Sequence, residues 1–283
     1  MPKDWVSWAL FYNKTLFDNA KLAYPDANWT EDQYRQAAQA LTVKDSSGNY
    51  TQYGNLVDTG WGNYFPMIWQ HGGQYLNDTH TKCLLDSPQA IEGWQFWSDI
   101  FNKDKSAPTP GVASQAGLGF ETGKIGMVIS GSYQVPGYQK ITAFQWDIAP
   151  KPQGPKGRAS ILFGSGWGIS SKSKSPDQAW QFTKYMTYKG AEVLASQGFS
   201  IPSRQSVASK PGVYVGAEMT KGKNVDVFVK ASEYSHLHEV TGTWNQQDQA
   251  IKADLDLVWL GQKSVADAVK SIVPQIDALL TSQ

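Results

Sequence analysis

His236 and His238, separated by one leucine, are a compact pair of potential metal ligands. A zinc site needs further ligands at a matching interval, and none follows, so the pair reads as solvated or as the edge of a ligand site. Glycoside hydrolysis needs two carboxylates held a few ångström apart, whereas the acids here, Asp254 and Asp256 among them, fall mainly on predicted helix surfaces. The glycines of Gly164-Ser165-Gly166-Trp167-Gly168 alternate without forming a dinucleotide fingerprint, and read instead as a close backbone approach in a strand. Cys83, in "HTKCLLD", has no nucleophile elbow around it. Catalysis is therefore the weaker class, and no metal or cofactor is expected. What the sequence holds in excess is aromatic surface: 12 Trp, 13 Tyr and 11 Phe in 283 residues. Tryptophan is awkward to bury completely because of its size and its indole N–H, so some of these rings should face a ligand.

The elements that must position those rings can be read from local signals. Residues 6–13 read as a strand, followed by a short helix. Thr30 and Gln33 have the spacing of a capping box, which predicts a helix over "WTEDQYRQAAQALT". Residues 50–58 read as a strand, and 61–73, "WGNYFPMIWQHGG", as a Gly-bounded aromatic loop running into a short helix. Ser87-Pro88 starts a helix whose stripe of Ile91, Trp94, Trp97, Ile100 and Phe101 belongs in a core. "GFETGKIGMVISGSY", residues 119–133, carries a short apolar strand ending just before Tyr133. A strand over "GSGWGISS", a helix from Ser175-Pro176, a helix over roughly 245–260 and one over 264–280 with a kink at Pro274 complete the reading. Strands interleaved with helices define an α/β class.

Lys plus Arg equals Asp plus Glu at 25 each, so no net field favours nucleic acid or an anionic membrane, and a small neutral ligand suits the balance better. A lone cysteine forms no intrachain disulfide and is expected as a buried small hydrophobe. The first residues contain Asp4 and lack a long apolar core, so they read as neither signal nor anchor.

Taken in order, "WALFYNKTLFDNAKL", "WTEDQYRQAAQALT", "GFETGKIGMVISGSY", "WDIAPKPQGPKG", "GSGWGISSKSKSPDQAWQFTKYMT" and "GFSIPSRQSV" resemble the extracellular sugar-binding proteins of ABC importers, the group that includes maltose-binding protein. The resemblance implies a periplasmic-binding-protein-like α/β fold, in which two lobes close on a sugar and the closed form docks on a membrane permease. It implies an extracellular or periplasmic location. It also begins part-way into the family's pattern: residues 1–6 look like a segment crossing between lobes, 7–150 and 201–283 like a largely complete second lobe, and 151–200 like a remnant of the first. The family places an aromatic just after the strand that ends before Tyr133, so that its ring lies under the sugar.

A pyranose has a face of C–H groups that packs on an aromatic ring and a rim of hydroxyls that needs polar partners. Tyr133, Trp61 and Trp244 are the expected platforms, Asn63, Asn245 and Arg204 the hydroxyl partners, and Trp167 a cleft-facing residue by the family's pattern. A carbohydrate-active hydrolase, which would use the same aromatic platforms, is the alternative from another class. The partners expected are a mono- or oligosaccharide and an ABC permease, with no nucleic acid. Self-association through the incomplete first lobe is also expected.

Overall fold

A computed structural model describes residues 1–198 and 200–281. In chain order the strands are β1 (Pro2–Asn13), β2 (Val43–Lys44), β3 (Tyr50–Leu56), β4 (Ile125–Gly131), β5 (Trp146–Ala149), β6 (Ser160–Gly166), β7 (Ile201–Pro202) and β8 (Ser235–His236). The first helices are α1 (Lys14–Asn19), α2 (Glu31–Ala40), α3 (Trp61–Gln70), α4 (Pro88–Asn102), α5 (Pro110–Gln115) and α6 (Val135–Tyr138). They are followed by α7 (Pro176–Ser196), α8 (Gln205–Ala208), α9 (Asp226–Lys230), α10 (Trp244–Trp259) and α11 (Val265–Thr281).

β1 is the strand on which the fold turns. Its second half pairs antiparallel with β4 and β5, from Trp8↔Gly131 to Asn13↔Trp146. Its first half pairs with β6 and β7, including Val6↔Phe163 and Trp5↔Ile201. Side chains alternate across a strand. Trp8, Leu10 and Tyr12 accordingly enter a large core under α2, α3, α4, α10 and α11, while Ala9 and Phe11 enter a smaller core that includes Val135, Val207 and Phe228. Burial on both faces explains why "VSWALFY" reads as a nearly continuous apolar run.

Local signals set most helix starts. Thr30 and Gln33 form both halves of the capping box, Ser87 caps α4, and Ser264 accepts from the Asp267 amide at the start of α11. Trp94 is fully buried, its indole donating to the Tyr64 carbonyl at 3.1 Å, and Trp97 is buried beside it. Cys83 is buried too, and that burial pushes its thiol up to about 12.

Local expectations change at several points. The aromatic segment is helical from Trp61 itself, because Gly60 takes the extended N-cap conformation (φ −76°, ψ 165°) and no loop intervenes. The strand expected over 164–171 lies earlier, at Ser160–Gly166, where Ile161 and Leu162 have β1 to pack against. A Cβ on Gly164 would stand 2.3 Å from the Asp4 carbonyl oxygen, so the glycine permits the close approach of the two strands. α7 begins at Pro176 without a hydrogen bond from the Ser175 side chain. α11 runs helical through Pro274. Within the stretch "GFSIPSRQSV", Phe199 lies outside the described residues, as do Ser282 and Gln283 of the expected 201–283 segment.

Candidate functional site

Trp61 and Trp244 are each the first residue of a helix. Both rings therefore stand at helix N-termini, where the Asn63 backbone amide donates back to the Gly60 carbonyl at 2.9 Å and the Gln246 backbone amide to the Thr243 carbonyl at 3.1 Å. Gly62 keeps this end of α3 open to β1: a Cβ there would sit 2.6 Å from the Trp8 ring. Below Trp244, the first turns of α10 are tied down by Tyr64, which donates to Asp248 at 2.6 Å, and by Tyr75, which donates to Gln247 at 2.5 Å. Gln247 in turn donates to Thr241 and Thr243, both at 2.9 Å. Burial, with Asp248 adding to it for Tyr64, holds both phenols well above their ordinary range, so they act as fixed donors.

The rings form one continuous array. Tyr133, in the turn after β4, meets Trp8 edge-on at 5.9 Å; Trp8 meets Phe163 at 5.3 Å and Phe163 meets Trp61 at 5.2 Å. Trp61 then meets Trp244 edge to face at 6.3 Å. His238 lies 4.5 Å from both tryptophans. Tyr133 is 41% exposed, and Trp61 and Trp244 are partly exposed. Beside Tyr133 a cavity of about 500 Å³ opens between Leu56, Asp58, Leu118, Glu121, Ser130 and Tyr138. It lies at the carboxyl ends of the parallel pair β3 and β4, the end at which α/β sheets hold ligands.

The structure thus brings Tyr133, Trp61 and Trp244 into one array, with Asn245 exposed next to Trp244. Asn63 is buried within α3, its amide donating to the Ile129 carbonyl at 3.4 Å, which turns it toward β4. Arg204 lies elsewhere, its guanidinium 3.8 Å above the Tyr188 ring. Trp167 follows β6 at the far end of β1: its amide donates to the Met1 carbonyl, and Lys3 stands 5.6 Å from its ring. Four residues separate it from Phe163, about 13 Å along a strand.

Trp8, Phe163 and His238 complete the array and escaped the reading of residue types. Trp8 and Phe163 sit in strands whose alternation marks them only as buried or half-buried. His238 was weighed as half of a metal pair. Among the described residues no group of three His, Cys, Asp or Glu side chains could hold a metal ion. Burial lowers the His238 pKa, although Asp248 acts in the opposite sense, so its ring is held neutral.

Aromatic rings at two helix N-termini thus stand together on an α/β scaffold. The chain belongs to the bacterial extracellular solute-binding protein family, whose model matches residues 1–193. It is 24% identical over 282 residues to a putative binding protein of Brucella abortus, covering 96% of this chain and 65% of that relative, so it spans about two thirds of the relative's length. Its fold is that of periplasmic binding proteins. An ABC substrate-binding protein from Listeria monocytogenes in complex with cycloalternan superimposes with a TM-score of 0.88 at 22% identity, over 99% of this chain and 71% of that one. The maltose-bound MalE3 of T. maritima gives a TM-score of 0.81 at 21% identity, over 99% and 72%. Among the described residues no helix is long and apolar enough to cross a membrane.

Proposed function

We propose that this chain binds a carbohydrate on the array from Tyr133 to Trp244 and delivers it, without chemical change, to the membrane permease of an ABC importer. The observation that carries this reading is the continuous run of rings Tyr133, Trp8, Phe163, Trp61 and Trp244, ending at two helix N-termini. The rings supply apolar faces for the C–H side of a pyranose, and Asn245 and Asp58 supply partners for its hydroxyls. Solved proteins of the same fold were captured with cycloalternan and with maltose, which is consistent with a sugar ligand here.

In this reading 7–150 and 201–283 form the second lobe and carry the platforms, 151–200 belongs to the first lobe, and 1–6 crosses between them. The protein works outside the cytoplasmic membrane, at the cell surface or in the periplasm. A thermal-shift screen over mono- and oligosaccharides tests the reading, because a ligand that binds only the folded state raises the melting temperature. A carbohydrate that raises it and is recovered intact supports the reading. No shift with any sugar sinks it, and release of reducing ends on incubation would assign the site to a hydrolase instead.

A further inference from the structure

We infer that in the ligand-free chain His238 fills the slot where the Trp61 and Trp244 rings meet, on a strap that an incoming sugar ring must displace. The inference rests on the proposed carbohydrate site and adds to it a resident competitor. Trp61, Phe65 and Trp69 recur four residues apart and line one face of α3. Along that face runs the segment that follows β8. His236 lies 5.1 Å from Trp69, and His238 lies 5.9 Å from Phe65 with the two rings only 19° from parallel. His238 then reaches 4.5 Å from both Trp61 and Trp244, tilted 38° to the first ring and 55° to the second, in van der Waals contact with each.

The strap is tied at both ends, by β8 at its start and by Gln247, which donates to Thr241 and Thr243, at its far end, with an irregular middle. β8 pairs with Ser160 and Ile161 of β6, and the chain has no regular structure from Leu237 until the turn before Trp244. Leu237 and Val240, which would anchor a permanently packed segment, are 71% and 66% exposed. The imidazole is the side chain that goes inward, yet its Nε2 is buried without a hydrogen-bond partner, a state that costs free energy and that displacement into water would relieve. Asp248, on α10, is the charged group that acts on it. A pyranose stacking on Trp61 and Trp244 needs the faces that His238 covers, so the two cannot be present together.

If the docked strap dominates the free state, affinity for sugar is reduced by the fraction of molecules with the slot open. The test uses the full chain and its His238→Ala variant, titrated calorimetrically with maltose and maltotetraose, alongside Leu237→Ser as a change on the same strap outside the slot. His238→Ala should bind about three- to ten-fold more tightly, the gain from removing a competitor present in most free molecules. Leu237→Ser should bind like wild type. In the same samples the His238 ring protons, displaced in NMR spectra by the two indoles, should return toward ordinary imidazole positions when wild-type protein is saturated. Unchanged or weaker binding by His238→Ala, or His238 resonances that stay put at saturation, overturns the displacement while leaving the carbohydrate site standing. Failure of wild type and variant alike to bind either sugar or any other carbohydrate in the screen overturns both.

Discussion

Trp61 and Trp244 each open a helix, and their rings meet edge to face at 6.3 Å although they come from distant parts of the chain. The pairing puts two indole rings at one point beside the exposed Asn245, which suits a ligand that is apolar on its faces and polar on its rim. Trp244→Ala should weaken sugar binding by about 1–3 kcal/mol, the scale of a lost aromatic anchor, with little change in melting temperature. Calorimetric affinity equal to wild type would remove Trp244 from the site.

Tyr133→Ala should produce a loss of the same order, about 1–3 kcal/mol. Tyr133 is exposed, and its ring meets the array through the edge of Trp8, so its removal leaves the core of β4 untouched. Tyr133→Phe, which keeps the platform, should retain most of the affinity. Equal losses in both variants would assign the contribution to the hydroxyl and not to the ring.

Trp94→Ala should act on stability instead. The side chain is fully buried in the large core and its indole donates to the Tyr64 carbonyl, so truncation leaves both a cavity and an unpaired carbonyl. The expected cost is about 3–5 kcal/mol in denaturant unfolding. A cost under about 1 kcal/mol would mean that the surrounding rings collapse into the space.

Lys151, two residues after β5, is buried with its side-chain nitrogen unpartnered. Burial lowers its pKa from 10.5 to about 7, with Glu31 opposing the shift and Arg158, which donates to the Lys151 carbonyl, adding to it. Between about 7 and 10.5 the unfolded chain holds the proton that the folded chain has released. Stability therefore rises with pH through this window, with a contribution of at most about 1.4 kcal/mol per pH unit, and falls as pH drops toward 7. Lys151→Met should be more stable than wild type at pH 7 and should show a smaller gain between pH 7 and 9 in chemical denaturation. Parallel pH profiles for the two proteins would show that Lys151 does not titrate in that window.

On α7, Trp180, Phe182, Tyr185, Tyr188 and Val193 are all exposed, Phe182 at 61%. So many exposed large apolar side chains gathered on one helix favour association. If 151–200 belongs to the first lobe, this face is part of that lobe's packing surface, and the present chain should self-associate in a concentration-dependent way by light scattering. Phe182→Ser together with Tyr185→Ser should shift it toward monomer. A strictly monomeric chain with micromolar sugar affinity would show instead that the 7–150 and 201–283 segments suffice for recognition.

The features decided by neighbours a few residues away were legible in the sequence. Thr30 and Gln33 specify their capping box, Ser87-Pro88 starts α4, and the spacing of Trp94 and Trp97 sends both inward, because caps and helix faces depend on contacts within one or two turns. The block order of the whole chain carried the family resemblance, and with it the α/β periplasmic-binding-protein fold. Composition showed that aromatic rings were in excess but not which of them meet. That depended on where β1, β6, α3, α10 and the 235–243 segment come together, and such contacts are set by packing across the sheet, which leaves no periodic trace in any one segment. Asn63 shows the limit from the other side. Its polar side chain close to Trp61 in sequence suggested a hydroxyl partner, yet two residues along a helix are a turn of about 200°, enough to send it under β4 while Trp61 stays partly exposed. Phe163 lies within β6 and Trp167 just after it, and only the register of β6 against β1, with Phe163 opposite Val6, decides that Phe163 joins the array and Trp167 packs by Met1 and Lys3.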